Sequence, residues 1–292
     1  MTEPARRTFR YSDAVLINYE VHGRGGTPIV FLHGFAAALI TWHDIVPLFP
    51  PESATLYLLD LKGFGFSSKP HDGRYTVEEQ AAVVIAFMEH EGLADAVLVG
   101  HSLGGGIALL AYIAARKSGK ENLIGRLILI SCSAYPQDLP WIMRCLRKRL
   151  LGGAILHLLP LRFMVRFTLT HLFHDHSAIT EDRIARYVGC FGRKGIAHVF
   201  IETCRQLIPE RYVELTRLFR TITSPTLVIW GAADPIVNLA QGLRLHEEIA
   251  GSHIVIIPHC GHIPQEERPI ETHAVIREFL ERSSHSARHT AR

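Results

Sequence analysis

Gly100-His101-Ser102-Leu103-Gly104 sets a serine between two glycines. An apolar run, 96–99 (AVLV), precedes it and a helical pattern over 103–116 follows. This is the G-x-S-x-G pattern of a nucleophile elbow. A serine at a sharp strand-to-helix turn has a strained backbone, and the flanking glycines relieve the crowding. Its Oγ then projects from the carboxyl end of a sheet. The helix that opens there offers free N–H groups and a positive dipole end to developing negative charge. A purely structural glycine-rich turn is the plain alternative, so the pattern needs partners.

A serine hydroxyl is a weak nucleophile and requires a base, which in turn requires an orienting carboxylate. Asp234 follows the apolar run 225–230 (PTLVIW), and His262 follows 252–257 (SHIVII). Both stand at carboxyl ends of strands, the edge where open α/β sheets build sites. The order Ser, Asp, His is the one this elbow type demands. His259 is a rival base and Asp138 a rival acid. His262 is preferred because Gly261 lets its loop turn back over the serine. An oxyanion needs two backbone donors aimed at one point. The N–H of Leu103, after the nucleophile, and that of Phe35, in the loop His33-Gly34-Phe35, are the candidates. His33 reads mainly as a structural hydrogen-bonder. His33, Gly34, His101 and Trp42 are the candidate substrate contacts, and Phe66 is another possible pocket wall.

Strands and helices must alternate to hold these residues. Near-continuous apolar runs at 28–32, 54–59, 96–99, 126–130, 225–230 and 252–257 read as strands covered on both faces. Shorter β-like runs lie at 8–11 and 15–22. Helical periodicity appears at 77–91, 103–116, 239–250 and 269–282. This alternation predicts an α/β fold with a doubly wound, mostly parallel sheet. It stops between 135 and 222, where helical patterns cover 141–151, 154–172, 181–188, 196–207 and 212–219. The expected organisation is therefore a core from 1–134 and 223–292 with a helical cap at 135–222. The polar end, SSHSARHTAR, is expected to fray.

Length and composition bound the rest. A chain of 292 residues with 48% hydrophobic and 20% charged residues can bury a large core, which excludes a disordered protein. Lys plus Arg number 31 against 28 Asp plus Glu, and a net charge of +3 does not suggest a nucleic-acid partner. The average hides an asymmetry. The cap carries 14 Lys/Arg against 7 Asp/Glu, a net +7, and the remainder is −4. Five cysteines form no C-x-x-C pair, and the N-terminus lacks an apolar leader, so a reducing, cytoplasmic setting is expected. His171, His174 and His176 beside Asp175 match no zinc spacing, and neither a metal nor another cofactor is expected.

Five stretches, FLHGF (31–35), DLKGFGFSSKP (60–70), VGHSLGGGIAL (99–109), WGAADPIV (230–237) and CGHIPQEERP (260–269), resemble the α/β-hydrolase superfamily, in its capped branch. They cover nearly the whole core in the right order. The resemblance implies an eight-stranded sheet with the cap inserted after strand six. It carries Ser102, Asp234 and His262 over as a triad, and Phe35 and Leu103 as oxyanion donors. Haloalkane dehalogenases and epoxide hydrolases share this fold but use an aspartate nucleophile, which Ser102 argues against. NLAQGLRL (238–245) and CGHIPQEE (260–267) also resemble ring-cleavage-product C–C hydrolases.

The expected function is a serine hydrolase that cleaves a carboxylic ester of a small-to-medium apolar substrate through an acyl-enzyme. C–C bond hydrolysis is the alternative reaction. A non-catalytic small-ligand receptor on the same fold is the alternative from another class. In the cap, residues 139–172 mix large apolar side chains with arginines. This face packs on the core with a solvated basic side, or else makes peripheral contact with a membrane.

Overall fold

The computed structural model describes the backbone of residues 6–290 and the side chains of residues 6–283. Eight strands form one sheet: β1 (Arg7–Ser12), β2 (Val15–Gly23), β3 (Thr27–Leu32), β4 (Ala54–Leu59), β5 (Ala96–His101), β6 (Ile124–Ile130), β7 (Thr226–Gly231) and β8 (His253–Ile257). Their spatial order is β1-β2-β4-β3-β5-β6-β7-β8. The β1–β2 and β2–β4 pairs are antiparallel and the rest are parallel. The mostly parallel, doubly wound sheet expected from the alternation is therefore present.

The near-continuous apolar runs have a direct cause. Side chains alternate between the two faces of a strand, and both faces here are buried. Val30, Leu32, Leu98, Leu127 and Leu129 join one core cluster. Ile29, Phe31, Val97, Val99, Ile128 and Ile130 join the other. The first cluster is covered by α1 (Val77–His90) and α2 (Leu103–Lys117), which supply Phe87, Met88, Ile107 and Ala111. The second takes Ile276 and Phe279 from the last helix of the chain.

Six α-helices lie between β6 and β7: α3 (Trp141–Leu146), α4 (Arg149–Leu158), α5 (Leu161–Leu172), α6 (Glu181–Phe191), α7 (Ile196–Gln206) and α8 (Tyr212–Arg217). The helix expected over 154–172 is two helices. Pro160 has no N–H to give and caps α5 instead, and the chain turns by 109° between α4 and α5. The pattern over 141–151 is likewise broken, at Arg147–Lys148. After β7 come α9 (Leu239–Glu248), the short α10 (Pro264–Glu267) and α11 (Pro269–Thr290). The backbone of α11 runs to Thr290, and residues 291–292 lie outside the described residues.

A buried ionic latch ties the inserted helices to the core. Arg183 of α6 pairs with Asp44 and, at 3.2 Å, with Glu266 of α10. Glu266 also accepts hydrogen bonds from Thr41 and from Tyr187 of α6. Burial raises the Glu266 carboxyl above its ordinary value, and Arg183 pulls the other way.

Candidate active site

β5 ends at His101 and α2 begins at Leu103, so Ser102 alone makes the turn. Its backbone sits at φ +52°, ψ −116°, a region that L-residues rarely occupy. The flanking glycines make this turn possible. A Cβ at Gly100 would stand 2.3 Å from the carbonyl oxygen of Gly104, and one at Gly104 would stand 2.3 Å from that of Leu32. The Ser102 N–H donates to Ile130 O at 2.9 Å, which fixes the elbow to β6.

Asp234 and His262 converge on it. His262 Nε2 lies 3.0 Å from Ser102 Oγ, and its Nδ1 lies 2.9 and 3.0 Å from the two Asp234 oxygens. A carboxylate only accepts, so Nδ1 carries the proton and Nε2 is free to accept from the serine. Asp234 also accepts from the N–H groups of Ile236 and Val237, at 2.8 and 2.9 Å. Burial works against its charge. The adjacent His262 ring and those two N–H groups nevertheless hold its carboxyl below the usual carboxylate range. The rivals stand apart: Asp138 and His259 are both exposed.

The other predicted site residues divide. Gly34 lies against Ser102, since a Cβ there would be 3.2 Å from the Ser102 Cβ. This brings the loop that carries Phe35 beside the serine. Leu103 is the first residue of α2, so its N–H has no acceptor within the helix. His33 is fully buried. Its Nε2 accepts from Leu61 N–H at 3.0 Å, so its Nδ1 donates to Gly34 O at 2.8 Å. His101 donates from Nε2 to the carbonyl of His262 at 2.8 Å. These two histidines therefore brace the loops around the site and are not placed to touch substrate. Burial pushes His33 down to about 4 and His101, which also faces His262, down to about 3. Trp42 is fully buried against Phe31, in the second core cluster. A cavity of about 90 Å³ beside the site is walled by Leu103, Leu110, Ser133, Leu139, Leu215 and Phe219, largely members of the first cluster. Trp42 thus belongs to the core on the opposite side of the sheet.

Two further residues matter that pattern alone does not flag. Ser133 Oγ is 3.5 Å from Ser102 Oγ. Glu267, buried, accepts from the N–H groups of Gly261, His174 and Asp175. Its place in CGHIPQEERP, five residues after His262, is the only signal it carries. Among the described residues, no group of three or more His, Cys, Asp or Glu side chains is placed to hold a metal ion.

The model of the Alpha/beta hydrolase family matches residues 29–275. The chain belongs to the alpha/beta hydrolase family. Among the hydrolases similar to it is the uncharacterized hydrolase YugF of Bacillus subtilis, 31% identical over 88% of this chain and 91% of that one. A 2-hydroxy-6-oxononadienedioate/2-hydroxy-6-oxononatrienedioate hydrolase of Pseudomonas sp is 26% identical over 91% of this chain and 93% of its own. Among solved structures, a bacterial membrane phospholipase A is similar, with 27% identity and a TM-score of 0.78 over 96% of this chain and 87% of that chain.

Proposed function

We propose that this hydrolase cleaves carboxylic esters of small-to-medium apolar substrates through a covalent acyl-enzyme. The observation that carries the reading is the hydrogen-bonded series Ser102–His262–Asp234. In it, Ser102 Oγ attacks the ester carbonyl carbon as His262 Nε2 takes its proton. Asp234 holds the Nδ1 tautomer and stabilises the imidazolium. The N–H groups of Leu103 and Phe35 receive the oxyanion. His262 returns the proton to the departing alkoxide, and water, deprotonated by the same nitrogen, then releases the acid.

The cavity beside Ser102 supports an apolar group. Among the described residues no charged side chain lines it. A dicarboxylate of the kind in the Pseudomonas relative's name would find no cation there, which favours an ester over C–C cleavage of a charged ring-cleavage product. The relative named a phospholipase A agrees with the ester reading. The five cysteines are unpaired, and burial raises the thiols of Cys132, Cys190, Cys204 and Cys260, which suits a reducing compartment.

The test is turnover of p-nitrophenyl butyrate by the full chain and by Ser102→Ala. The variant is expected to lose about 10⁴-fold or more in kcat, and a fluorophosphonate should label only the parent. A Ser102→Ala protein that retains the parent rate overturns the reading. Faster turnover of a ring-cleavage diketone acid than of any ester transfers it to C–C hydrolysis. Labelling without turnover of any substrate in the panel favours a ligand receptor.

A further inference from the structure

The outer face of the inserted segment is apolar and basic at once. α4 sets Leu150, Ala154 and Leu158 on one side, four residues apart. Leu150 is 92% exposed and Leu158 79%. Leu159 and Phe163 continue this surface around the corner into α5. Trp141 of α3 is exposed too, and its ring meets Phe167, which stacks on Phe163. Single exposed leucines are ordinary, but a contiguous patch of this kind marks a contact surface.

The charge around the patch has one sign. Residues 139–174 contain six Lys/Arg and no Asp/Glu. Arg149 pairs with Glu202, and Arg162 and Arg166 pair with Glu181. Arg144, Arg147 and Lys148 are exposed, and among the described residues no carboxylate pairs with them. A second copy of this chain would bring the same charge to the contact and be repelled. Anionic headgroups over an acyl layer complement both properties. Taken together α4 and α5 have the length and hydropathy of a membrane span, but a 109° bend between them breaks it.

We propose that α3, α4 and α5 dock on an anionic lipid surface. Leu150, Leu158, Phe163 and Trp141 enter the boundary between headgroups and acyl chains, and Arg144, Arg147 and Lys148 meet the lipid phosphates. The docking is independent of the serine chemistry. The patch is joined to the site through α5, whose last residue accepts the N–H of His262 at Leu172 O, at 2.8 Å.

The experiment is co-sedimentation of the full chain with vesicles of phosphatidylcholine alone or mixed with phosphatidylglycerol. The protein, and equally its Ser102→Ala variant, is expected to pellet with the mixed vesicles and to be released by high salt. Replacing Arg144, Arg147 and Lys148 by Ala should weaken binding about 100-fold. Replacing Leu150, Leu158 and Phe163 by Ser should weaken it at least about tenfold. Both triple variants should keep the parent's melting temperature and its turnover of p-nitrophenyl butyrate. Equal binding to the two vesicle types, no binding, or binding indifferent to both triple variants overturns the proposal. So does a dimer in sedimentation equilibrium that only the leucine and phenylalanine changes dissolve.

Discussion

Ser102 holds a backbone conformation that costs on the order of 1–3 kcal/mol, packed between the close backbone approaches at Gly100 and Gly104. His262 is constrained as well. Its two nitrogens have one assignment consistent with their partners, and Asp234 sets it. Asp234→Asn is therefore informative. The asparagine amide can donate to Nδ1, which moves the ring proton to Nε2 and leaves nothing to accept from Ser102. The expected result is a fall of about 10⁴-fold in kcat near neutral pH, with KM and melting temperature little changed. A fall of less than tenfold in the esterase assay would mean the carboxylate does not set the tautomer. The hydrogen-bonded series Ser102–His262–Asp234 was legible in the sequence because each member follows a strand whose apolar run marks its end. Trp42 was not legible, because an aromatic residue shortly after a strand looks the same whether it faces a pocket or a core. Only the sheet face it falls on decides.

At the scale of elements, the inserted helices and the base loop share hydrogen bonds. Glu267 gathers the N–H groups of Gly261, His174 and Asp175, so it fixes the loop before His262 and the chain after α5 together. In Glu267→Gln, one end of the side chain becomes a donor facing donors. We expect kcat to drop about tenfold with KM unchanged, and equal losses in a variant that merely unfolds would appear in the melting curve. The Arg183 latch makes a different prediction. Arg183→Met leaves Glu266 buried without its cation, which should cost about 3 kcal/mol in urea unfolding at pH 8. At pH 5 the cost should shrink, because an unpaired buried carboxyl takes a proton instead. A loss that does not vary with pH would contradict this account. Neither network can be read from sequence. Arg183, the segment 41–44 and Glu266 are far apart in the chain, and a single carboxylate on an amphipathic helix gives no sign of a distant partner. The α4–α5 break, by contrast, was available in Pro160. Apolar periodicity on both sides of it masked the stop, since the two helices share a run of leucines.

At the scale of the whole molecule, the bracing histidines make stability depend on acid. His33 and His101 are buried and neutral, with values near 4 and near 3 against 6.5 in an unfolded chain. Burial also lowers His198 and His273. The sign follows from proton counting. Below pH 6.5 the unfolded chain binds protons at these positions and the folded chain does not, so stability falls as pH falls. Above 6.5 both states are neutral there and the dependence vanishes. Near pH 3 His101 protonates in the folded state too, and its slope flattens. Between about pH 6 and pH 4.5, two such groups give a slope of about 2.7 kcal/mol per pH unit. Each contributes on the order of 3 kcal/mol or more over its full range. The buried Asp234 adds to the loss only at lower pH, because its folded value lies below the ordinary 3.8. Urea unfolding followed from pH 8 to pH 4.5 checks the argument. Stability should fall as pH drops below about 6.5, but by less than the histidines alone would give, because burial raises the carboxyls of Asp60 and Glu266, which take up protons first in the folded state. His33→Asn keeps a side chain able to bond in the same loop but cannot take up a proton, so it should reduce the slope by about one proton. A slope that is the same in the parent and in His33→Asn would mean that this ring opens to solvent before the chain unfolds.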